Sequence, residues 1–295
     1  MELAGKTAVI IGGGGGIGRG VSLGLAAAGM NVVVADLESG TAQSVADEVN
    51  AAGNRAFAAT VDATDPASLD ELARLVVREN GAVHVLVNLV GVITNRRLDK
   101  ASEGEWAWFF EFNVMAHVRG NNAFLPHLRA HGEPAHIVNT SSMAGLLALG
   151  PAMVGGFNNG LYTTTKHALI GYCDMLRMEL EPEGIGVSVL CPGLVAGNLS
   201  ATSARNRPDR FGGPVANPRE GMAPNSAAMP NERVGPIVAR AIAENRFYIF
   251  THRDPQQLVA ERHAQVTADL AFLDAPSVGE TSGAHRAFRS GRPPE

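Results

Sequence analysis

The sequence predicts an α/β protein, a single doubly wound domain with a mostly parallel seven-stranded sheet. Two patterns lead to this prediction. Short apolar segments of strand length alternate with longer segments whose apolar residues recur at helical spacing. The first strand segment runs directly into a glycine-rich loop and a helix, which is the usual start of a parallel β–α–β unit.

Length and composition restrict the classes of function. The chain has 295 residues, 45% of them hydrophobic and 18% charged, so a sizeable core is expected and global disorder is not. A net charge of -5 argues against a nucleic-acid-binding surface. No apolar run is long enough for a membrane span or a signal peptide, and Cys173 and Cys191 resemble buried thiols of a reducing cytosol. We therefore expect a cytoplasmic protein with no metal site, no membrane segment and no nucleic-acid partner.

The first unit has the features of a dinucleotide-binding site. The chain begins with an apolar strand predicted over 7–11 and the loop GGGGGIG at 12–18, followed by a helix predicted over 19–29 and a strand predicted over 31–36, which ends at Asp36. Glycines let a pyrophosphate approach the backbone at the helix N-terminus. Asp36 follows Gly16 by 20 residues, a distance at which a carboxylate accepts hydrogen bonds from ribose hydroxyls. A glycine-rich turn with no ligand is the alternative, and it leaves the position of the acid unexplained.

The alternation continues through the middle of the chain. Helices are predicted over 40–52 and 67–78, and strands over 55–61 and 83–88. A long helix is predicted over 102–128, and it begins with the S-x-x-E pattern of a capping box.

Two further strands are predicted over 135–140 and 185–191. Ser141 and Ser142 follow the first of these, at the carboxyl edge where open α/β sheets bind ligands.

Tyr162 and Lys166 are the strongest candidates for chemistry. Residues four apart lie on one face of a helix, and apolar spacing predicts a helix here. An ammonium group near a phenol favours the phenolate and lowers the phenol pKa, which suits proton transfer near neutral pH. Taken alone, this spacing is weak evidence for catalysis, because an exposed Tyr–Lys pair on an amphipathic helix has the same spacing.

Together these motifs resemble the short-chain dehydrogenase/reductase family over residues 5–250. The resemblance lies in the order of the G-x-x-x-G-x-G loop, an acid after the second strand, and Asn, Ser, Tyr-x-x-x-Lys and Pro-Gly motifs. It implies a Rossmann fold and nicotinamide-dependent hydride transfer. Three positions depart from the family pattern: Ile11 replaces a Thr, Leu89-Val90 stands within the N-N-A-G motif, and Gly197 replaces a Thr.

The resemblance also implies roles for individual residues. Four are implied to be catalytic: Asn113, Ser142, Tyr162 and Lys166. The implied cofactor-binding residues are Gly12, Gly16, Ile17, Gly18, Asp36, Leu37, Asp62, Ala63, Asn88, Gly91, Tyr162, Lys166, Pro192, Gly193 and Val195. Three of these assignments have structural alternatives: Asp62 as a turn residue, Asn113 as a buried hydrogen-bonded amide, and Ser141 in place of Ser142.

Charge around the expected ribose site favours NAD over NADP. The carboxylate of Asp36 would repel a 2′-phosphate, and the following Leu37 adds no positive charge. Gly15 stands where NADP-binding relatives often carry Lys or Arg, and Arg19, the nearest base, lies beyond the loop on the helix.

The remaining segments suggest a substrate-binding region. The apolar, glycine-rich insertion 149–160 is expected to be a mobile loop beside the substrate or a subunit contact. Residues 199–230, rich in Pro, Gly and Arg, are interpreted as a lid that orders on binding. Its arginines fit either an acidic substrate group or a solvated loop face.

The C-terminal part completes the predicted domain, 1–274. A helix over 231–245, a strand over 247–250 and a helix over 254–272 are predicted, and 275–295 resembles a disordered or partner-wrapping tail.

The expected activity is reversible hydride transfer between NAD(H) and a secondary alcohol or ketone, with Tyr162 exchanging the hydroxyl proton. The long lid, the apolar insertion and the few pocket charges suggest a bulky, largely apolar substrate, with aryl and polycyclic alcohols as candidates. Alternatives are an NADP-dependent carbonyl reductase, an epimerase or dehydratase, and a non-catalytic NAD sensor. The resemblance also implies a homodimer or homotetramer.

Overall fold

The computed structural model describes residues 1–217, 220, 226–253 and 255–271. Its strands are β1 Thr7–Ile11, β2 Asn31–Asp36, β3 Ala56–Thr60, β4 Val85–Asn88, β5 Ala135–Thr140, β6 Ile185–Cys191 and β7 Tyr248–Phe250. They form one seven-stranded sheet in the order β3-β2-β1-β4-β5-β6-β7, and every pair is parallel. The predicted doubly wound α/β fold is confirmed, with an entirely parallel sheet.

Helices cover both faces of this sheet. Within the described part of residues 1–253 they are α1 Gly16–Ala27, α2 Ser39–Ala51, α3 Pro66–Asn80, α4 Glu103–Phe110, α5 Ala116–Ala130, α6 Gly160–Leu180, α7 Leu199–Arg205 and α8 Val234–Ala243. A further helix, α9 Gln256–Ala271, follows later in the chain. Helices α1, α2 and α8 share one apolar cluster with alternate strand residues such as Ala8 and Ile10. Helix α3 packs on α5 away from this cluster. Strands buried on both faces explain their nearly continuous apolar sequences.

The strand order reverses between β1 and β4, which lie side by side although β1 is followed in sequence by β2. Crossover connections therefore leave in opposite directions from these two strands and open a crevice at their carboxyl ends. The loops that begin at Gly12 and Leu89 meet at this switch point, since a Cβ on Gly12 would lie 3.4 Å from Leu89.

The helix predicted over 102–128 is interrupted. Ser102 and Glu105 form the predicted capping box: Ser102 Oγ accepts from the Glu105 N–H at 3.2 Å, and the Glu105 carboxylate accepts from the Ser102 N–H at 3.0 Å. A π-helical turn, Glu111–Met115, then separates α4 from α5. Apolar periodicity does not reveal one extra residue in a turn, and such turns often occur at functional sites.

Helices α1 and α8 approach at backbone distance. A Cβ on Gly24 would collide with the backbone of Gly235, and a Cβ on Gly20 with the carbonyl of Asn231. Glycine is required at these positions for close packing of the two helices.

The chain divides into two compact units, residues 1–253 and 254–295. In the second unit, α9 carries the side-chain pairs Gln257–Glu261 and Gln265–Asp269, each at 2.8 Å. Three predicted features fall wholly or partly outside the described residues. They are residues 218, 219 and 221–225 of the predicted lid, the predicted domain boundary at 274, and the tail 275–295. No helix in the described ranges is both long enough and apolar enough to cross a bilayer.

Candidate active site

The loop between β1 and α1 presents backbone N–H groups at the switch point. No side chain caps α1, which starts after Gly15. Gly12 and Gly16 have φ angles of 84° and 48°, in the left-handed region that favours glycine. A Cβ on Gly18 would collide with the Gly12 carbonyl oxygen, and Ile17 packs on the core below. An uncapped N-terminus of this kind fits the pyrophosphate of a dinucleotide.

Asp36 is fixed beside this loop. Its Oδ2 accepts a hydrogen bond from the Gly14 N–H at 2.8 Å, and its Oδ1 accepts from the Glu38 N–H at 3.2 Å. The next residue, Leu37, is 52% exposed, and its uncharged side chain adds no positive charge at this end of β2. The carboxylate therefore keeps one position at the end of β2, where the sequence predicts the ribose.

Arg19, the nearest base in the sequence, is engaged elsewhere. Its Nε donates to Glu48 at 2.8 Å, and its Nη1 contacts Asn231 at 3.0 Å and Glu232 at 2.5 Å. Two carboxylates already balance this guanidinium, so it is not available to a 2′-phosphate without losing them.

Asp62 takes part in a turn after β3. Its Oδ1 accepts hydrogen bonds from both the N–H and the Oγ1 of Thr64, each at 2.8 Å. Ala63 is buried beside it. This geometry matches the structural alternative for Asp62, and an adenine contact stays a prediction.

Asn88 faces the interior of the molecule. Its Nδ2 donates to Asn121 Oδ1 at 2.8 Å and to Asn139 Oδ1 at 2.9 Å, and Asn121 Nδ2 donates to the Tyr172 hydroxyl at 3.0 Å. These bonds join β4, β5, α5 and α6 behind the crevice. Asn88 thus supports the strand ends, and direct cofactor contact by its side chain stays a prediction.

Asn113 lies in the π-helical turn and is fully buried. Its Oδ1 accepts from the Val92 N–H at 2.7 Å, and its Nδ2 donates to the Val92 carbonyl at 3.1 Å and to Thr165 Oγ1 at 3.0 Å. A Cβ on Gly91 would lie 3.0 Å from Asn113 Oδ1 and 3.3 Å from Lys166 Nζ. Asn113 is therefore a satisfied buried amide close to Lys166, and a part in proton transfer stays a prediction.

The two adjacent serines have different partners. Ser141 is buried, and its Oγ donates to the Lys166 carbonyl at 2.8 Å. Ser142 Oγ accepts from the Ala144 N–H at 3.1 Å, and the Ser142 side chain lowers the pKa of Tyr162. The pair that meets in the crevice is thus Ser142 and Tyr162.

Burial dominates the electrostatics of Tyr162 and Lys166. Desolvation raises the pKa of Tyr162 to about 12, against a smaller lowering by the Ser142 hydrogen bond. Desolvation also lowers the pKa of Lys166 to about 7, and its Nζ donates to the Thr140 carbonyl at 2.7 Å. Lys166 Nζ lies 5.6 Å from the Tyr162 ring centroid. The lowering of the Tyr162 pKa expected from the spacing alone does not appear: desolvation is the largest influence on this pKa, and the Lys166 charge is not among the influences on it.

The segment after β6 passes the same crevice. The Gly193 N–H donates to Thr251 Oγ1 at 3.1 Å, and the Pro192 carbonyl accepts from the Met143 N–H at 3.0 Å. Val195 forms a β-bridge with Met229, which fixes the start of the lid. The Pro-Gly motif is therefore held against the loop that carries the serines.

The family model for short chain dehydrogenases matches residues 6–208, which is more than half of the chain. The chain belongs to the short-chain dehydrogenase family.

Individual members of the family match almost the whole chain. The 1-deoxy-11-beta-hydroxypentalenate dehydrogenase of Streptomyces exfoliatus is 32% identical, over 95% of this chain and 94% of its own. The protein of the same name from Streptomyces avermitilis is 33% identical, over 92% and 93%. A Burkholderia phymatum short-chain dehydrogenase/reductase crystallised in complex with NAD is 32% identical, with a TM-score of 0.82 over 91% of this chain and 96% of its own.

This short-chain dehydrogenase contains a buried histidine that the sequence did not single out. His117 lies one turn beyond Asn113, and its Nε2 is 2.8 Å from the Val90 carbonyl, so Nε2 carries the proton and donates. Its Nδ1 is 3.3 Å from the side chain of Asn139. Burial lowers the pKa of His117 to about 3, so the ring is neutral and Nδ1 is an acceptor. Helical spacing from Asn113 was the only signal in the sequence.

An aromatic cluster adjoins Tyr162. It contains the buried Val92, Trp108, Phe109 and Leu161, with Tyr162, Phe112 and Phe211 among the side chains packed against it. Trp108 and Phe109 come from α4, whereas Phe211 comes from the predicted lid. An apolar substrate beside this cluster stays a prediction.

The described part of the predicted lid contains regular elements and ion pairs. Helix α7 is followed by a short turn, Asp209–Phe211. Arg205 forms an ion pair with Glu38, and Arg210 lies 3.6 Å from Glu111 and donates to Thr64 at 3.1 Å. These contacts connect the described part of the predicted lid to Glu38, which follows β2, to Thr64, which follows β3, and to Glu111 in the π-helical turn.

The insertion 149–160 is fastened to the loop after β4. The Asn158 N–H donates to Asn95 Oδ1 at 2.8 Å, and the Arg96 N–H donates to the Asn158 carbonyl at 3.0 Å. Phe157 is buried, whereas Met153 is 57% exposed. Its predicted mobility and its contact with substrate or subunit stay predictions.

Proposed function

We propose that this chain catalyses reversible hydride transfer between NAD(H) and a secondary alcohol or ketone whose body is bulky and largely apolar. The observation that carries the proposal is the meeting of the Ser142 and Tyr162 side chains at the carboxyl edge of the sheet, with Lys166 Nζ 5.6 Å from the Tyr162 ring centroid. These groups stand next to an uncapped helix N-terminus and an aromatic cluster. A non-catalytic nucleotide sensor does not require a serine–tyrosine pair here.

The glycine loop and Asp36 would hold the cofactor. The uncapped α1 N-terminus would receive the pyrophosphate, and the Asp36 carboxylate would accept from the adenosine ribose. The pairing of Arg19 with Glu48 and Glu232 leaves no free cation from this side chain for a 2′-phosphate, which supports NAD over NADP. Bound NAD supplies the hydride acceptor.

Ser142 and Tyr162 would act on the substrate oxygen. Ser142 Oγ, oriented by the Ala144 N–H, hydrogen-bonds the oxygen where charge develops. A Tyr162 pKa of about 12 keeps the phenol protonated at neutral pH, as an acid must be for ketone reduction. In alcohol oxidation Tyr162 first gives up its own proton to water, and the resulting phenolate then receives the hydroxyl proton.

Lys166 would support both steps. Its position 5.6 Å from the Tyr162 ring favours the phenolate whenever the amine is charged. A pKa of about 7 lets Lys166 exchange a proton near neutral pH. The Thr140 carbonyl holds Nζ in place through this exchange.

The substrate class rests on the surroundings of Tyr162. The adjoining cluster is aromatic and aliphatic, so an apolar body fits beside the reacting carbon. The two Streptomyces relatives are named for dehydrogenation of a hydroxylated substrate, 1-deoxy-11-beta-hydroxypentalenate, which supports an alcohol on a larger skeleton.

A screen at 340 nm tests the proposal. NAD and NADP are each combined with secondary alcohols graded from 2-propanol to 1-phenylethanol and bicyclic alcohols. NAD reduction by the bulky members is expected. Faster reaction with NADP would overturn the cofactor assignment, and a preference for small polyols would overturn the substrate class. Saturable NADH binding without turnover of any alcohol would favour the sensor.

Tyr162→Phe is the matched variant for the mechanism, since it removes one oxygen. Turnover should fall by at least about 1,000-fold while the Kd for NADH, measured by fluorescence, changes less than about threefold. Full activity in this variant would remove Tyr162 from the mechanism.

Location and assembly form a separate part of the proposal. Cys173 and Cys191 are free and buried, which fits the reducing cytoplasm. Met175 and Met178 of α6 are 56% and 64% exposed, and such apolar side chains support a homodimer or homotetramer. Light scattering coupled to size-exclusion chromatography would measure the assembly, and a monomer at micromolar concentration would contradict it.

A further inference from the structure

One lid arginine differs from its neighbours. In the described ranges, Arg205 is paired with Glu38 and Arg210 with Glu111, whereas Arg207 between them has no ion pair and no hydrogen bond. The two pairs hold the chain on both sides of Arg207. Its position is therefore imposed by the lid, although no anion of the described part balances its charge.

Arg207 stacks on a buried tryptophan. Its Cζ lies 4.8 Å from the Trp108 ring centroid, and Trp108 is only 1% exposed. Gly212, with a φ of 106°, lies under the guanidinium, and a Cβ there would be 3.2 Å from Arg207 Nη2. A side chain at this position would strain the turn and crowd the guanidinium, so glycine favours the stacked arrangement.

Both members of the stack have a buried donor without an acceptor. Arg207 Nε and Trp108 Nε1 are inaccessible to solvent and make no hydrogen bond. A buried donor without a partner is destabilising, and such groups are rare in native structures unless a ligand or water completes them.

Packing alone explains only part of this arrangement. A stacked guanidinium uses its flat face on the ring, and its N–H groups point outward in its own plane. The indole N–H also lies in the plane of its ring. The stack therefore leaves in-plane donors for another group, and planar donors of this kind match a carboxylate, which accepts two hydrogen bonds in a fork.

The stack lies on the substrate side of the crevice. Trp108 belongs to the cluster against which Tyr162 and Phe211 pack, so an apolar body resting on this cluster would bridge the Tyr162 hydroxyl and the stack. We propose that Arg207 and Trp108 form a carboxylate subsite and that the substrate is a hydroxy acid with an apolar body between its hydroxyl and its carboxylate. This deepens the proposed function and rests on it.

Entry of the acid requires movement of the lid. Both nitrogens are enclosed with the lid in this position, so the ion pairs of Arg205 and Arg210 open first and re-form over the bound substrate. Exposed ion pairs are weak, which makes such opening inexpensive.

The test compares an acid with its ester. The substrates are 4-(1-hydroxyethyl)benzoic acid, its methyl ester and 1-phenylethanol, each with NAD and the full-length wild-type chain. The variants are Arg207→Met, which keeps length and removes charge, and Trp108→Phe, which removes the indole N–H. Arg240→Met is the control, because Arg240 lies on α8 and pairs with Glu244 at the surface.

For the acid, Arg207→Met should lower kcat/KM by about 10- to 100-fold, mainly through KM. Trp108→Phe should lower it by about 3- to 10-fold. Arg207→Met should leave the ester and 1-phenylethanol within about threefold of wild type, Trp108→Phe should lower kcat/KM for the acid more than for the ester, and Arg240→Met should change none of the three. Equal loss on acid and ester, or no preference of the wild type for the acid, would overturn the subsite.

A binding measurement separates this inference from the proposed function. Calorimetric titration of the NADH-saturated wild type and Arg207→Met with the acid needs no turnover. Tighter binding to wild type supports the subsite even if the proposed reaction fails. Equal binding overturns the subsite, and the activity of the wild type on 1-phenylethanol then still decides the proposed function.

Discussion

Ser141 Oγ donates a hydrogen bond to the Lys166 carbonyl at 2.8 Å, which ties the end of β5 to α6. Ser142, the next residue, turns to the opposite side, where its side chain lowers the pKa of Tyr162. Successive residues of an extended chain point to opposite faces, so one serine packs in the interior while the other faces the crevice.

This relationship predicts opposite effects of two alanine variants. Ser142→Ala should lower kcat by about 100- to 1,000-fold with little change in thermal stability. Ser141→Ala should keep kcat within about tenfold and destabilise the fold by about 1 to 3 kcal/mol, because the buried Lys166 carbonyl loses its donor. Steady-state kinetics and chemical denaturation measure the two effects. The reverse pattern would assign the reacting oxygen to Ser141.

Burial of Lys166 predicts a pH dependence of stability. The folded-state pKa of Lys166 is about 7, below its unfolded value of 10.5, so the unfolded chain binds more protons between these pH values. The contribution of Lys166 to the free energy of unfolding therefore decreases as pH falls from 10.5 toward 7, and it increases as pH rises over the same range. Between pH 7 and 8.5 wild type should gain up to about 2 kcal/mol relative to Lys166→Met.

Urea denaturation at a series of pH values measures this difference, in which the titration of the other groups cancels. Lys100→Met is the control, because the Lys100 side chain is 70% exposed. Parallel pH profiles for wild type and Lys166→Met would show that the folded-state pKa is not lowered.

The position of Asp36 predicts cofactor selectivity. Asp36→Asn keeps an oxygen for the Gly14 N–H and removes the negative charge. The ratio of kcat/KM for NADP to that for NAD should rise by about 10- to 100-fold, since the repulsion of a 2′-phosphate is lost. Asp47→Asn removes the same charge from an exposed position on α2 and should leave the ratio unchanged. An unchanged ratio in Asp36→Asn would place the 2′ position elsewhere.

The contact between α1 and α8 predicts a sharp difference between two glycines. Gly24→Ala puts a Cβ against the Gly235 backbone and should destabilise the fold by about 2 kcal/mol or more. Gly40→Ala adds the same atom on α2, where nothing lies within 4 Å, and should be neutral or stabilising by up to about 1 kcal/mol. Thermal melts measure both. Equal melting temperatures would mean that the helices separate at little cost.

Local patterns were enough for the fold and for part of the site. The glycine loop, the apolar strands and the Tyr–Lys spacing are contiguous signals, and the predicted strands 7–11, 31–36, 135–140 and 185–191 have the observed bounds. Helix ends were less accurate: the helix predicted from Arg19 begins at Gly16, because the glycine loop itself forms the first turn. The π-helical turn at Asn113 has no periodic signature at all.

Several features depend on residues distant in the chain. Three contacts join segments that are far apart in sequence. They are the ion pair of Arg19 with Glu232, the contact of His117 with the Val90 carbonyl, and the stack of Arg207 on Trp108. No spacing rule reports such contacts. The pKa of Tyr162 is the clearest case, since spacing alone predicted a lowering and burial raises it.

The sequence by itself determined the doubly wound sheet, the glycine loop after β1 and the candidates for the reactive side chains, because backbone conformation and apolar periodicity act over a few neighbouring residues. Only the tertiary structure decided which serine faces Tyr162, how desolvation sets the pKa values of Tyr162 and Lys166, and which lid arginine is left without an anion in the described residues. Those outcomes depend on burial and on long-range packing, which exist only once the chain has folded.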